Sequence, residues 1–271
     1  MIKRLWLIGL VLMLVACQSP APLPTALVIP TVVAATPTRG VTPSLAATLV
    51  SEATPTAAPP FELTITAPDN AKLAASFYPP ASAAPAPGVL LLHMLGRDRA
   101  DWDSLAKDLQ SRGYAVLALD LRGHGDSAGP ADWAKAPADV RAAWEVLVAR
   151  PEVDPALCAI MGGSIGANLA LIVGANNPDV ATVIALSPGV DYRGLKPSGV
   201  LTNFGERPVL LVASQDDAYS YDGVQQMAIL APRAETHYFA NAGHGTAMFT
   251  DLQLKTLVLN WLSQHIGALK G

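Results

Sequence analysis

Ser164 stands in a run of residues whose types and spacing suit covalent chemistry. The run is Gly162-Gly163-Ser164-Ile165-Gly166, and it directly follows an apolar stretch. It matches the pattern G-x-S-x-G, in which the glycines permit a sharp turn that lifts a serine hydroxyl above a sheet. Glycine–serine pairs also form ordinary exposed turns. The chemical interpretation therefore depends on partners elsewhere in the chain.

A serine hydroxyl needs a base before it can act as a nucleophile at neutral pH. Among the five histidines, His244 is the best candidate, because it stands between Gly243 and Gly245 in a loop after the last predicted strand. Flanking glycines allow the close approach that a base requires. His237 lies inside a strand pattern and is predicted to be half-exposed, and His265 is predicted to be a surface residue. An ordinary loop histidine is the alternative interpretation of His244.

The imidazole of a catalytic histidine needs a carboxylate that fixes its tautomer and stabilises its charged form. Asp216 and Asp217 follow the predicted strand 209–213. Their residue types do not separate them, and two solvated aspartates are the alternative. The order serine, aspartate, histidine along the chain is the order that accompanies the G-x-S-x-G turn.

Apolar runs and amphipathic stretches alternate along residues 61–271 and predict the elements that would position these groups. Predicted strands cover 61–67, 73–78, 89–92, 115–119, 157–161, 182–186, 209–213 and 236–240. Predicted helices cover 102–111, 138–149, 165–174, 221–230 and 247–266. The first two strands form an antiparallel hairpin, and the later apolar runs are typical of buried parallel strands. The fold class is therefore α/β, a three-layer sandwich around a mostly parallel sheet of about eight strands.

Residues 61–271 resemble an α/β-hydrolase. Beyond the serine turn, three stretches carry the resemblance: LLLHMLGRDRADWDSLAKDLQSRGYAVLALDLRGHGDS at 90–127, PVLLVASQDDAYS at 208–220 and NAGHGTAMF at 241–249. They are similar to the family's His-led loop with its following helix and strand, its acid loop and its histidine loop. Four ordered motifs in one chain are more specific than any one of them.

The resemblance implies a role for each matched residue. Ser164 is the nucleophile, on an elbow whose glycines are Gly162 and Gly166, and His244 is the base. In the family's acid loop the aspartate stands three places after a glycine. Ser214 takes that glycine's place here, so Asp217 is the expected acid and Asp216 the fallback.

The resemblance also implies an oxyanion hole made of two backbone N–H groups. One belongs to Ile165, and the other to Met94 or Leu95, which the sequence does not separate. Family members often have His-Gly where this chain has His93-Met94. His93 is expected to order this loop, and His124 to brace its neighbour.

The interval between residues 186 and 208 holds only about twenty residues, so no large cap domain is expected and the pocket should be open. Hydrolysis of a small-molecule carboxylic ester through an acyl-enzyme is the simplest expectation. A thioesterase, a peptidase or an acyltransferase on the same triad is the alternative, as is a non-catalytic binding lipoprotein of the same fold. Acyl and alcohol specificity and the oligomeric state are not indicated.

The first sixty residues carry features of an exported lipoprotein. Residues 1–16 combine a basic start with an apolar stretch, as in a signal peptide. Cys17 follows in a setting that resembles a lipobox, which implies lipidation there and attachment to a membrane surface in the cell envelope. Residues 17–60 are rich in proline, threonine and alanine, and such a composition is typical of a disordered linker.

The remaining composition excludes several classes of protein. The formal net charge is −4 and no basic stripe is present, so nucleic acid is not an expected partner. There is neither a metal-ligand spacing nor a phosphate or dinucleotide loop, so no metal and no cofactor is indicated. Of the two cysteines, Cys158 opens an apolar run and is expected to be a buried small hydrophobe.

Overall fold

The computed structural model of the chain describes residues 57–81, 85–231 and 233–267. The predicted signal peptide 1–16, Cys17 and most of the linker 17–60 lie outside the described residues. No helix within the described ranges is long and apolar enough to cross a membrane.

An eight-stranded sheet forms the centre of the domain. Its strands are β1 Phe61–Thr66, β2 Lys72–Tyr78, β3 Ala86–Leu92, β4 Ala115–Leu119, β5 Val153–Gly163, β6 Thr182–Leu186, β7 Val209–Ser214 and β8 Glu235–Phe239. They lie in the order β1-β2-β4-β3-β5-β6-β7-β8. The β1–β2 and β2–β4 pairs are antiparallel and the other pairs are parallel. The expectation of a mostly parallel sheet with an initial hairpin is confirmed.

Helices cover both faces of this sheet. They are α1 Asp103–Ser111, α2 Ala136–Val148, α3 Ile165–Ala175, α4 Ala218–Leu230 and α5 Leu252–Ile266. One core packs α2, α3 and α4 against the sheet, and a second packs α1 and α5 against the other face. Along β3, Leu90 and Leu92 belong to the first core whereas Val89 and Leu91 belong to the second. This alternation follows from the two-residue period of a strand, and it explains why the strand is apolar throughout.

The predicted single helix 247–266 was wrong at its start. A 3-10 helix, Gly245–Thr250, precedes α5, and Asp251 between them has extended backbone angles of φ −87° and ψ 116°. The Asp251 side chain accepts a hydrogen bond from the N–H of Gln253 at 2.8 Å. This N-cap satisfies a donor that a helix start leaves free, and it fixes where α5 begins.

The connection between β6 and β7 is short, as expected. Its helical parts are two 3-10 turns, Pro197–Gly199 and Leu201–Phe204. No large cap domain is therefore built over the carboxyl edge of the sheet between Leu186 and Val209, a part of the chain that the structure describes in full.

Candidate active site

Ser164 lies on a strained turn between β5 and α3. Its backbone angles are φ 54° and ψ −118°, a region that a residue with a side chain seldom adopts. Its N–H donates to the carbonyl of Leu186 on the neighbouring strand at 2.8 Å, which ties the turn to the sheet. The turn presents a single serine at the carboxyl edge of the central strands.

The backbone around the two elbow glycines, Gly162 and Gly166, leaves no room for a side chain. A Cβ atom on Gly166 would lie 2.6 Å from the carbonyl oxygen of His93, and one on Gly162 would lie 2.6 Å from the backbone nitrogen of Ala167. Both distances are shorter than real Cβ contacts allow. Helix α3 therefore packs directly against β5 and the end of β3, as the G-x-S-x-G pattern predicts.

His244 and Asp217 lie together at the same edge of the sheet. His244 Nδ1 is 2.6 Å from Asp217 Oδ2. The Asp217 side chain is mostly buried, whereas 41% of the His244 side chain is exposed. Because Nδ1 is bonded to the carboxylate, Nε2 is the ring nitrogen left to exchange a proton with a nucleophile or substrate.

The histidine loop packs on the serine turn. A Cβ atom on Gly245 would lie 3.6 Å from the backbone nitrogen of Ser164, and one on Gly163 would lie 3.3 Å from that of Thr246. The structure thus brings the predicted loops of Ser164, Asp217 and His244 to one place.

Asp216 faces a different partner. Its carboxylate accepts hydrogen bonds from the Ser214 hydroxyl and from the Gly243 N–H, the latter at 3.2 Å. The Ser214 hydroxyl lowers the pKa of Asp216, and the Gly243 N–H adds to this effect. Asp216 therefore supports the backbone of the histidine loop, and Asp217 is the aspartate that contacts the His244 ring.

His93 fixes the loop that follows β3. It is fully buried, and its Nε2 accepts the N–H of Leu121 at 2.9 Å while its Nδ1 lies 2.7 Å from the carbonyl of Met94. A carbonyl can only accept, so Nδ1 carries the proton and the ring is neutral. Burial lowers the pKa of His93, which favours the same neutral form. The loop geometry agrees with the expected ordering role.

The Met94 side chain fills the space between the loops. Its sulfur accepts the N–H of Thr246 at 3.3 Å, and its Cγ lies near Gly163. The neighbouring Leu95 is 43% exposed. Met94 therefore joins the loop after β3 to the histidine loop, a contact that its position in the motif did not predict.

His124 and Arg122 lie behind this loop. The His124 ring is 5.3 Å from that of His93, centroid to centroid, and its Nδ1 donates to the Arg122 carbonyl at 3.0 Å. The Arg122 guanidinium is buried and donates to Asp139 and Asp69. His124 therefore packs against His93 and the Arg122 backbone, which agrees with the bracing role expected of it.

The other two histidines lie away from the serine turn. His237 is half-exposed on β8, as expected. His265 was predicted to be a surface residue, and this was wrong. It is partly buried, with its ring 4.2 Å from that of Trp261 and its Nε2 buried without a hydrogen-bond partner among the described residues.

Cys158 is buried on β5, and its sulfur contacts the carbonyl of Asp154 at 3.2 Å. Burial raises the pKa of this thiol to about 12. A thiol in that state is a packing group and a poor nucleophile, as the sequence predicts.

Ser187, at the end of β6, joins three parts of the site and was missed by the sequence analysis. Its φ of 52° turns the chain sharply, and its hydroxyl accepts the N–H of Gly245 at 2.9 Å. Its carbonyl accepts from the Ser220 hydroxyl at 3.2 Å and from that of Tyr192 at 3.4 Å. A serine directly after a buried strand was the only available signal.

Two cavities lie away from the serine turn. One of about 440 Å³ surrounds Arg99, and four of its eight lining residues are acidic. The other, of about 280 Å³, lies beside Phe204 and Leu230 and is largely apolar. Neither of these two cavities is lined by Ser164 or His244.

Comparison with known proteins supports this assignment of the fold. A family model described as serine aminopeptidase, S33 matches residues 83–206. An uncharacterized protein of Mycobacterium tuberculosis is 34% identical over 116 residues, which cover 43% of this chain and 41% of that protein. The sn-1-specific diacylglycerol lipase ABHD11 of Mus musculus is 32% identical over 107 residues, 38% of this chain and 33% of that one. The matched region thus spans about two fifths or less of the length of these relatives.

A solved structure extends the likeness to most of the described domain. An esterase of Pyrococcus furiosus superposes with a TM-score of 0.66 at 22% identity, covering 77% of this chain and 94% of that one. The sheet order, the strained serine turn and these matches agree with one another. The chain has the α/β-hydrolase fold, and the family-model match covers the part of it from residue 83 to residue 206.

Proposed function

We propose that the protein is a serine hydrolase that cleaves carboxylic esters of small molecules through an acyl-enzyme. The observation that carries the proposal is the His244–Asp217 hydrogen bond of 2.6 Å beside a serine with φ 54°. Strained backbone at a serine, next to a histidine with a fixed tautomer, is the arrangement that nucleophilic catalysis needs.

In the first half-reaction, Ser164 Oγ attacks the ester carbonyl carbon and its proton passes to His244 Nε2. Asp217 stabilises the resulting imidazolium through Nδ1. The tetrahedral intermediate then breaks its bond to the alcohol oxygen, which takes the proton from Nε2 and leaves. A water molecule repeats the sequence on the acyl-enzyme, with His244 accepting its proton and returning it to Ser164.

The oxyanion of the intermediate needs two N–H donors. Ile165 is the first residue of α3, and the first N–H groups of a helix have no partner within the helix. Its N–H is therefore available beside Ser164, and the positive end of the helix dipole adds to the stabilisation.

The second donor is Leu95 rather than Met94. A trans peptide directs its C=O and N–H groups to opposite sides. The Met94 carbonyl is bound to the buried ring of His93, so the N–H of Leu95 in the same peptide points away from that ring. The His93 carbonyl approaches Gly166, so the N–H of Met94 points away from the start of α3.

The known proteins support an ester substrate over an amide. The solved relative is described as an esterase and one curated relative as a diacylglycerol lipase, whereas the family model is described as a serine aminopeptidase. A thioesterase, a peptidase or an acyltransferase would use the same triad and remains the alternative activity.

The full-length chain should be treated with a fluorophosphonate probe beside Ser164→Ala and His244→Ala. The same proteins should be assayed on p-nitrophenyl esters, on matched thioesters and on aminoacyl p-nitroanilides. We expect labelling of the wild type, its loss in Ser164→Ala, and turnover of the oxygen esters in preference to the other two. Absence of labelling and turnover in a folded wild-type protein would instead favour a non-catalytic binding lipoprotein.

We also propose that the protein is exported and held at a membrane surface by lipid on Cys17. The support comes from the sequence alone, since residues 1–56 lie outside the described part of the chain. Metabolic labelling with a fatty acid should mark the wild type and fail to mark Cys17→Ser. Equal labelling of both would contradict the anchor.

A further inference from the structure

Tyr192, on the short connection between β6 and β7, lies beside the proposed reacting groups. Its ring stands edge-on to that of His244, with the centroids 6.4 Å apart. Its hydroxyl is 3.1 Å from the hydroxyl of Ser220. The same hydroxyl lies 3.4 Å from the carbonyl of Ser187, at the end of β6. The phenol ring is therefore held beside His244, the proposed base.

Asn168 anchors the segment that carries this tyrosine, residues 189–195, which we call the strap. Asn168 is fully buried and lies one helical turn after Ser164 on α3. Its Nδ2 donates to the carbonyls of Gly189 and Leu195, both at 2.8 Å, and its Oδ1 accepts the N–H of Gly189 at 3.0 Å. One side chain thus holds both ends of the strap.

The middle of the strap has a second anchor on α4. The Tyr219 hydroxyl donates to the carbonyl of Asp191 at 2.8 Å and accepts its N–H at 3.1 Å. The rings of Tyr219 and Tyr192 are 5.4 Å apart. Tyr192 and Leu195 also exchange two backbone hydrogen bonds, at 2.9 and 3.3 Å. Together with Asn168, these bonds hold the strap against α3 and α4.

Gly189 allows the tyrosine to fold back over the strap. A Cβ atom on Gly189 would lie 2.7 Å from the Tyr192 ring. The ring consequently lies against its own backbone on one side and near His244 on the other. It occupies space beside the His244 ring.

We propose that Tyr192 is a specificity-determining residue of the ester site and that Asn168 is the positioning residue that holds it there. The ring forms a fixed wall that limits the size of the substrate group on its side of Ser164. Because Asn168 belongs to the helix that begins at the nucleophile, the wall and the nucleophile are held by one rigid element. This inference rests on the proposed function.

The test compares wild type with Tyr192→Ala and Tyr192→Phe in the full-length chain. Two ester series are used: p-nitrophenyl esters from acetate to decanoate, and acetate esters of alcohols of increasing size. For each protein the measured quantity is the ratio of kcat/KM for the longest member to that for the shortest. This ratio does not depend on the concentration of folded enzyme, so partial misfolding of a variant does not obscure it.

We expect Tyr192→Ala to raise this ratio about tenfold or more in one of the two series, since each added methylene in an apolar site changes specificity by a comparable factor. Tyr192→Phe keeps the ring and should keep the wild-type ratio. Tyr221→Ala is the matched control, because Tyr221 lies on α4 against Tyr238, with ring centroids 5.1 Å apart, and not on the strap.

Asn168→Ala tests the positioning role. It should shift the ratio in the same direction as Tyr192→Ala, because the released strap no longer holds the ring in place. Asn176→Ala, at the exposed end of the same helix, should leave the ratio unchanged. A lower melting temperature of Asn168→Ala with the wild-type ratio would show a merely structural asparagine and would overturn its assigned role.

Turnover by the wild type with unchanged ratios for Tyr192→Ala in both series would overturn the inference and leave the proposed function intact. A Tyr192→Phe ratio equal to that of Tyr192→Ala would also overturn it, because the ring would then not be the wall. A wild-type protein that neither reacts with the fluorophosphonate nor turns over esters would overturn the proposed function and the inference together.

Discussion

His244 and Asp217 are joined by a hydrogen bond of 2.6 Å between Nδ1 and Oδ2, although 27 positions separate them in the chain. They follow β8 and β7, which are parallel neighbours in the sheet. The carboxyl ends of parallel strands lie at one edge, so two distant loops meet there without any further element to guide them. The contact also distinguishes two adjacent aspartates, because Asp217 contacts the ring whereas Asp216 accepts from the Gly243 N–H.

Asp217→Asn should lower kcat for ester hydrolysis by about 1,000- to 10,000-fold, because the amide no longer fixes the productive tautomer or stabilises the imidazolium. Asp216→Asn should have a much smaller effect. Its carboxylate supports the histidine loop through the Gly243 N–H at 3.2 Å and does not contact the ring. Steady-state kinetics on a p-nitrophenyl ester measure kcat for both variants and for the wild type.

Equal losses in the two variants would contradict this division, as would a larger loss in Asp216→Asn. A melting curve for each variant is the control, since a loss of activity that merely follows unfolding would say nothing about the tautomer.

Gly166→Ala should destabilise the fold and abolish labelling of Ser164. The added methyl group would lie 2.6 Å from the His93 carbonyl, so α3 must move away from β3. Overpacking of this kind typically costs about 1–3 kcal/mol in free energy of unfolding. Thermal unfolding and fluorophosphonate labelling of the same samples measure the two effects.

Gly199→Ala is the matched control, because nothing lies within 4 Å of the added methyl group. It should keep wild-type stability and labelling. A Gly166→Ala variant that matches it in both measurements would show that the elbow tolerates a side chain.

The predicted site residues that the structure brings together share one property: each stands directly after a strand or between glycines. Ser164 and His244 are of this kind, and their loops meet because the strand order brings them together. Asp217 required the spacing of the family's acid loop as well, since Asp216 satisfies the same local pattern. Within the same turn, a shift of one residue decides which aspartate contacts the His244 ring.

The strap and its anchors could not be predicted in the same way. Tyr192 lies in a non-repetitive segment, which has no periodic pattern to reveal which side chain points where. Asn168 lies on α3, and only its contacts with Gly189 and Leu195 identify it as an anchor of that segment. The start of α5 was misplaced for a related reason, since the sequence around Asp251 continues a helical pattern while the local cap interrupts it. His265 was misplaced because an apolar neighbour, Trp261, covers one face of its ring.

Lowering the pH from 7 to 5 should reduce the free energy of unfolding through His93 and His265. Burial lowers the pKa of both in the folded state, whereas an unfolded histidine has a pKa of about 6.5. Below that pH the unfolded chain binds protons that the folded chain does not, so stability present at pH 7 is lost as the pH falls. The loss is at most about 1.4 kcal/mol per pH unit for each histidine.

Denaturant unfolding at pH 7 and pH 5 measures this loss for wild type, His93→Gln, His265→Gln and the double variant. The difference between the free energies of unfolding at pH 7 and pH 5 should be smaller in each single variant than in the wild type, and smallest in the double variant. The pKa of Asp69 is lowered mainly by its hydrogen bond to Arg122. Carboxylates of this kind lose their contribution to the free energy of unfolding only below about pH 4, so they do not affect a comparison between pH 7 and pH 5. A double variant with the full wild-type dependence would disprove the assignment to these histidines.

Arg122→Met should destabilise the protein by about 3–5 kcal/mol, because it leaves the carboxylate of Asp139 buried without a cation. Only 1% of the Asp139 side chain is exposed, and the Arg122 Nε donates to it at 2.8 Å. Arg233→Met is the control: its ion pair with Glu206, at 3.3 Å, has both side chains largely exposed. Pairs of that kind contribute about 1 kcal/mol or less.

The double variant Arg122→Met with Asp139→Leu separates the cost of an unpaired charge from the loss of the guanidinium itself. Removing the carboxylate along with its partner should recover part of the stability lost in Arg122→Met, since no buried charge then remains at that position. Urea denaturation of wild type, Arg122→Met, Arg233→Met and the double variant measures the free energies of unfolding to be compared. A double variant less stable than Arg122→Met would contradict the explanation that the unpaired Asp139 charge is what destabilises Arg122→Met.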